Sequence, residues 1–164
     1  MPTDLEQELY ERRLVVDRAR SWIGTPYHHG AAVKGHGVDC ARILAEVFHE
    51  AGLVEKIEPG FYTRDWHLHR GEEHYLSRIE DYCKRVDSSE ASLNDRLDCV
   101  KDWVVHPGNI LIWRIGRTFS HAAIVTKWER AVHASFPSRC VEEFNLIGSV
   151  VQDRPMRVYS YWGY

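Results

Sequence analysis

Residues 37–52 read GVDCARILAEVFHEAG, and the fold can be worked outward from this stretch. Ile43, Leu44, Val47, Phe48 and Ala51 recur at the spacing that puts apolar side chains on one side of an α-helix, and Gly52 stands where a helix ends. Cys40 is therefore expected at or just before the first helical turn. A helix N-terminus presents unpaired backbone N–H groups, which together with a nearby imidazole lower a thiol pKa and make it a nucleophile at neutral pH. The same amides could hold the oxyanion of a tetrahedral intermediate.

Upstream, Thr3 or Asp4 can cap a helix whose apolar positions Leu5, Leu9, Val15 or Val16, Ala19, Trp22 and Ile23 lie at helical spacing, with its stop at Gly24. Residues 24–30 and 35–37 are too rich in Gly and Pro for a regular element and read as an extended loop leading to Cys40. Beyond the Cys40 helix, residues 54–66 read as loop and 72–86 as a helix with Tyr75, Ile79 and Tyr82 facing inward; a shorter helix is expected over 93–100. After Pro107-Gly108 the period becomes that of strands, at 110–113, 120–126, 130–134, 140–144 and 156–161. Helices first and consecutive strands afterwards predict an α+β domain, with N-terminal helices packed on an antiparallel sheet of five or six strands.

The 164 residues suit one hydrophobic core, so a single domain over 1–164 is expected, with 54–105 as an insertion-like segment forming a lid, a substrate wall or a docking surface. The net charge is -3 and the 21 basic residues are scattered, which predicts no nucleic-acid partner. The N-terminus is acidic, and no apolar run is long enough to cross a bilayer; the expectation is a protein made in the cytoplasm without a signal peptide and with no membrane partner. Cys40, Cys83, Cys99 and Cys140 lack the close pairing of a zinc or redox motif, and the last three read as small buried hydrophobes. The histidine-rich residues 66–74 lack the paired spacing of a zinc site and read as a solvated or cleft-lining loop, so no metal is expected. His28, His29 and His36 read as exposed loop groups; the alternative is contact with a carboxylate-bearing peptide.

A base for Cys40 must come from elsewhere in the chain. His121 follows the hairpin-like residues 114–118 and starts an apolar strand, a place from which a side chain can reach a cleft. His133 lies in the next strand, and two strands joined by a short turn can bring the rings side by side. A neutral His133 accepting a hydrogen bond from His121 would set its tautomer and keep the other nitrogen facing sulfur.

With these residues in view, the chain resembles the NlpC family of cell-wall cysteine peptidases, and within it the phage-tail and gene-transfer-agent type. The similarity runs through Trp22-Ile23-Gly24-Thr25-Pro26-Tyr27, Gly37-Val38-Asp39-Cys40, Gly108-Asn109-Ile110-Leu111-Ile112-Trp113, Ser120-His121-Ala122-Ala123-Ile124-Val125 and Val132-His133-Ala134, in the family's order. The resemblance implies a papain-like fold and hydrolysis of peptide bonds in peptidoglycan stem peptides, without metal or organic cofactor. It implies Cys40, His121 and His133 as the triad, Tyr27 lining the site and Asp39 as the acidic neighbour. It also implies phage tail proteins as partners and a tail-associated enzyme acting on the bacterial cell wall. Many relatives carry Ser and Gly after the nucleophile, whereas this chain has Ala41 and Arg42, which makes Arg42 a site-lining candidate. Two other readings share these residues: a catalytically silent tail component, and an amidase or acyltransferase using the same Cys-His chemistry.

Overall fold

A computed structural model describes residues 3–58, 74–87, 92–94 and 105–163. Helix α1 (Asp4–Ser21) is opened by Thr3, whose hydroxyl accepts the Glu6 N–H while the Glu6 carboxylate accepts the Thr3 N–H, a reciprocal capping box. Replacing Thr3 with Ala should cost about 1 kcal/mol in a urea titration. Gly24 (φ 87°) and Gly52 (φ 76°) hold the left-handed conformations that let the chain leave α1 and α2 (Arg42–Glu50). The loop between them carries a two-residue hairpin, β1 (Ala32–Val33) and β2 (Gly37–Val38), too short to leave a periodic signature.

The inner face of α1 differs from the expected one. Leu5 and Leu9 are 62% and 55% exposed, and the row facing the protein runs Glu8, Arg12, Val15, Val16 and Ala19. Glu8 and Arg12 are buried as an ion pair, so hydrophobicity alone chose the wrong row in the first two turns.

Helix α3 (His74–Glu80) is shorter than the expected 72–86, of which 72 and 73 lie outside the described residues. Tyr75 and Ile79 are buried as expected, but Tyr82 is 45% exposed, because the chain turns at Asp81 and enters β3 (Lys84–Arg85). The two residues of β3 pair with Ser160 and Tyr159, and this edge pairing takes the backbone away from the helix. Only residues 92–94 of the expected shorter helix and its approach are described, with Leu93 and Asn94 helical; Cys99, His67 and His69 lie outside the described residues, as does most of the 54–105 segment.

Strands β4 (Ile110–Ile115), β5 (Thr118–Lys127), β6 (Arg130–Ser135), β7 (Cys140–Asn145) and β8 (Met156–Ser160) complete a six-stranded antiparallel sheet in the order β3-β8-β4-β5-β6-β7. The architecture is the expected α+β one. One face of the sheet, through Ile112, Ala122, Ile124 and Val132, packs against α1, α2 and α3, and the other, through Leu111, Ala123 and Val125, is covered by Leu93, Leu146 and Val151. Burial on both faces explains why 110–113 and 122–125 are continuous apolar runs without alternation.

Candidate active site

Cys40 lies two residues before α2, next to Ala41 at the N-cap, and the Asp39 carboxylate secures this helix start. One oxygen of its buried carboxylate accepts the N–H groups of Ala41 (3.2 Å) and Arg42 (3.0 Å); the other accepts the Gly30 N–H (2.7 Å) and lies 3.6 Å from His29 Nδ1. Asp39 thus caps α2 and ties the preceding loop beneath it. The helix amides expected to stand open for an oxyanion are therefore partly committed: those of Ala41 and Arg42 serve Asp39, and the N–H of Cys40 lies against its own sulfur. The Cys40 thiol donates to the Ser120 carbonyl (3.6 Å), one residue before His121 on β5.

His121 is the fourth residue of β5, not its first. Thr118, Phe119 and Ser120 already belong to the strand, which takes up an irregularity at Trp113/Arg114 of β4 and runs through the middle of the sheet. The register Ile124↔Val132 makes His121 and His133 diagonal neighbours on one sheet face. Their rings meet edge to face at 5.0 Å, with His121 Nε2 2.8 Å from His133 Nδ1. That contact occupies Nε2 of His121 and leaves Nδ1 as its second nitrogen. Trp113 stacks on His121 and Phe144 on His133, clamping the pair between two aromatic planes.

Cys40, His121 and His133 line one cleft of about 950 Å³, together with Tyr27, Asp39, Tyr75, Phe136 and Glu142. Tyr27 meets Phe136 edge-on at 5.5 Å. His28, His29 and His36 are all exposed, as expected; His29 also borders the cleft, with Nδ1 3.6 Å from Asp39. Arg42 is not among the lining residues; its guanidinium lies 3.7 Å from Glu58. Two groups were missed from sequence. The Tyr75 hydroxyl, on α3, donates to the Cys40 carbonyl (3.0 Å), so the described part of the 54–105 segment supplies a wall of the cleft. Glu142 stands opposite His133 across β6–β7, with its carboxylate 3.3 Å from His133 Nε2. Among the described residues no group of three or more His, Cys, Asp or Glu side chains is arranged to hold a metal ion.

The electrostatics correct one expectation. Burial and the Asp39 carboxylate push the Cys40 thiol up to about 12, against the smaller lowering by the Cys40 and Ala41 amides. Burial, helped by His133, pushes His121 down to about 3. The helix end is too weak to offset the loss of water around both charges, so thiol and imidazole rest as a neutral pair. This agrees with the thiol acting as a donor to Ser120. Alkylation by iodoacetamide, which consumes thiolate, should then rise about tenfold per pH unit between roughly pH 6 and 9. A rate flat across that range would show a resting thiolate–imidazolium pair and overturn this account.

A family-model scan finds no match, and neither does a search of curated proteins. Solved structures do match. The NlpC/p60 domain of the peptidoglycan hydrolase SagA superposes with a TM-score of 0.57 at 19% identity, covering 90% of this chain and 97% of that one. RipB, a peptidoglycan hydrolase from Mycobacterium tuberculosis, gives 0.59 at 14% identity over 100% of this chain and 70% of its own. NlpC2 from Trichomonas vaginalis gives 0.61 at 12% identity over 94% of this chain, which spans only 47% of that protein. At such identities the likeness is one of architecture, and it assigns this chain the α+β, papain-like fold of NlpC/p60 domains.

Proposed function

We propose that the protein is a cysteine peptidase that hydrolyses peptide bonds in the stem peptides of peptidoglycan. The observation that carries this reading is the hydrogen-bonded His121–His133 pair sharing an open cleft with Cys40. Solved neighbours of the same fold that are named as peptidoglycan hydrolases support the choice of substrate.

In the mechanism, Nδ1 of His121 takes the thiol proton as sulfur attacks the scissile carbonyl, so charge separation coincides with bond formation. We assign the oxyanion to the Cys40 N–H just before α2, which turns from the sulfur to the substrate oxygen as the bond forms. The imidazolium then returns its proton to the departing amine, leaving a thioester. Water, deprotonated by His121, attacks the thioester carbonyl, and collapse releases the new carboxylate and restores the thiol. We further place the enzyme in a phage or prophage tail, made in the cytoplasm and acting on the cell wall; the ordered motif blocks that resemble tail peptidases support this placement.

The test is digestion of purified peptidoglycan from several wall types by wild-type protein and Cys40→Ala, with soluble fragments identified by mass spectrometry. Cys40-dependent fragments with newly freed amino and carboxyl ends in the peptide establish the peptidase and name its bond. Release of whole stem peptides from the sugar chain would make it an amidase, and no release from any wall would leave a silent structural component.

A further inference from the structure

Beyond the triad, a carboxylate is built into the hydrogen-bond chain. Glu142 faces His133 directly across β6–β7, its Oε1 3.3 Å from His133 Nε2 and 2.7 Å from the Ser138 hydroxyl. Ser138 is held in turn, its backbone N–H donating to Ser135 Oγ at 3.2 Å, so the turn after β6 fixes the carboxylate from behind. Phe144 stacks on the His133 ring with centroids 4.0 Å apart, which limits its rotation. We propose that Glu142 is a positioning residue that sets the tautomers of both histidines by accepting the Nε2–H of His133.

Each step follows from what these groups can donate. An ionised carboxylate only accepts, so His133 Nε2 carries a hydrogen; a neutral imidazole has one, so His133 Nδ1 is an acceptor. Across the 2.8 Å contact, His121 Nε2 must then be the donor. That leaves His121 Nδ1 bare, the state a base needs toward a protonated thiol. The three serine and histidine contacts hold Glu142 below the usual carboxylate range, so it remains an acceptor across the neutral range. Without an acceptor at this place, His133 could carry its hydrogen on Nδ1, and the order of donors would reverse back to the cleft.

This inference rests on the peptidase reading for its consequence in turnover, but the tautomers can be read without substrate. Histidine tautomers are measured by two-dimensional NMR on ¹⁵N-labelled protein for wild type, Glu142→Gln and Glu142→Lys. Both rings should be Nε2–H tautomers in the wild type, and the Gln amide oxygen should preserve them. A lysine ammonium only donates, so Glu142→Lys should drive His133 to the Nδ1–H form and lower kcat on peptidoglycan fragments on the order of a hundredfold, with KM little changed. Glu142→Gln keeps an acceptor and should retain more kcat than Glu142→Lys. The Glu142 side chain is 37% exposed, so either variant is compatible with folding. An Nδ1–H His133 in the wild type, or a Glu142→Lys protein with unchanged tautomers or unchanged kcat, overturns the proposal. A loss confined to KM does the same, since it would make Glu142 a substrate contact. If no wall is cleaved by the wild type, the peptidase reading falls while the NMR arm still decides the relay.

Discussion

Replacing His121 with Ala should lower turnover on peptidoglycan by three to four orders of magnitude, on the order of what a positioned general base supplies. The thiol explains the size. Burial and the Asp39 carboxylate push the Cys40 thiol up to about 12, so without a base little of the enzyme carries thiolate at neutral pH. Replacing His133 with Ala should cost less, about ten- to a hundredfold, because His121 survives and loses only the partner that holds its Nε2. Water entering the space of the His133 ring can accept that hydrogen in part. Steady-state rates on one purified stem peptide measure both variants, with thermal melting to exclude unfolding, since Trp113 and Phe144 pack against these rings. The reverse order, with His133→Ala the more damaging, would make His133 the base and remove the assignment.

The parts of this site that could be read from sequence are those where one residue type has a single physical meaning in its place. Cys40 before a strongly amphipathic helix is legible, and so is Gly52 behind it. The strands are legible because burial on both faces leaves unbroken apolar runs. What was missed lies where pairing, not periodicity, decides. Glu142 acquires its place only through the β6–β7 register, in which Ser135 faces Cys140 and His133 consequently faces Glu142. A hairpin with four residues between its strands would have allowed that arithmetic. Tyr75 was placed inward by its helical spacing, but no local pattern shows that its hydroxyl reaches a carbonyl 35 residues earlier. The thiol's raised pKa was out of reach too, because the positive helix end is a local feature while desolvation is set by the entire cleft. Asp39 contributes twice here: it caps the helix and, by its charge, makes the neighbouring thiol harder to ionise.

Replacing Arg12 with Ala should destabilise the protein by about 3–5 kcal/mol, as breaking a buried ion pair from one side does. Arg12 Nε lies 2.7 Å from the Glu8 carboxylate, and both side chains are nearly closed to solvent. Its other nitrogens reach the Pro107 carbonyl at 2.8 Å and Ser160 Oγ at 3.5 Å, and its guanidinium lies 4.1 Å over the Trp162 ring. One cation thus ties α1 to the turn before β4 and to the end of β8. Removing it takes away the cation facing a nearly buried carboxylate, and breaking such a pair from one side costs more than the pair itself is worth. Replacing both members, as Glu8→Leu with Arg12→Met, should recover much of the loss, because two apolar chains fill the space without an orphaned charge. Urea titrations of the two single variants and the double variant form a cycle that separates the two effects. A loss under about 1 kcal/mol for Arg12→Ala would mean that Glu8 takes up a proton or finds water at little cost. Because none of these residues lines the Cys40 cleft, the folded fraction of each variant should cleave at the wild-type rate, which separates the loss of scaffold from loss of chemistry.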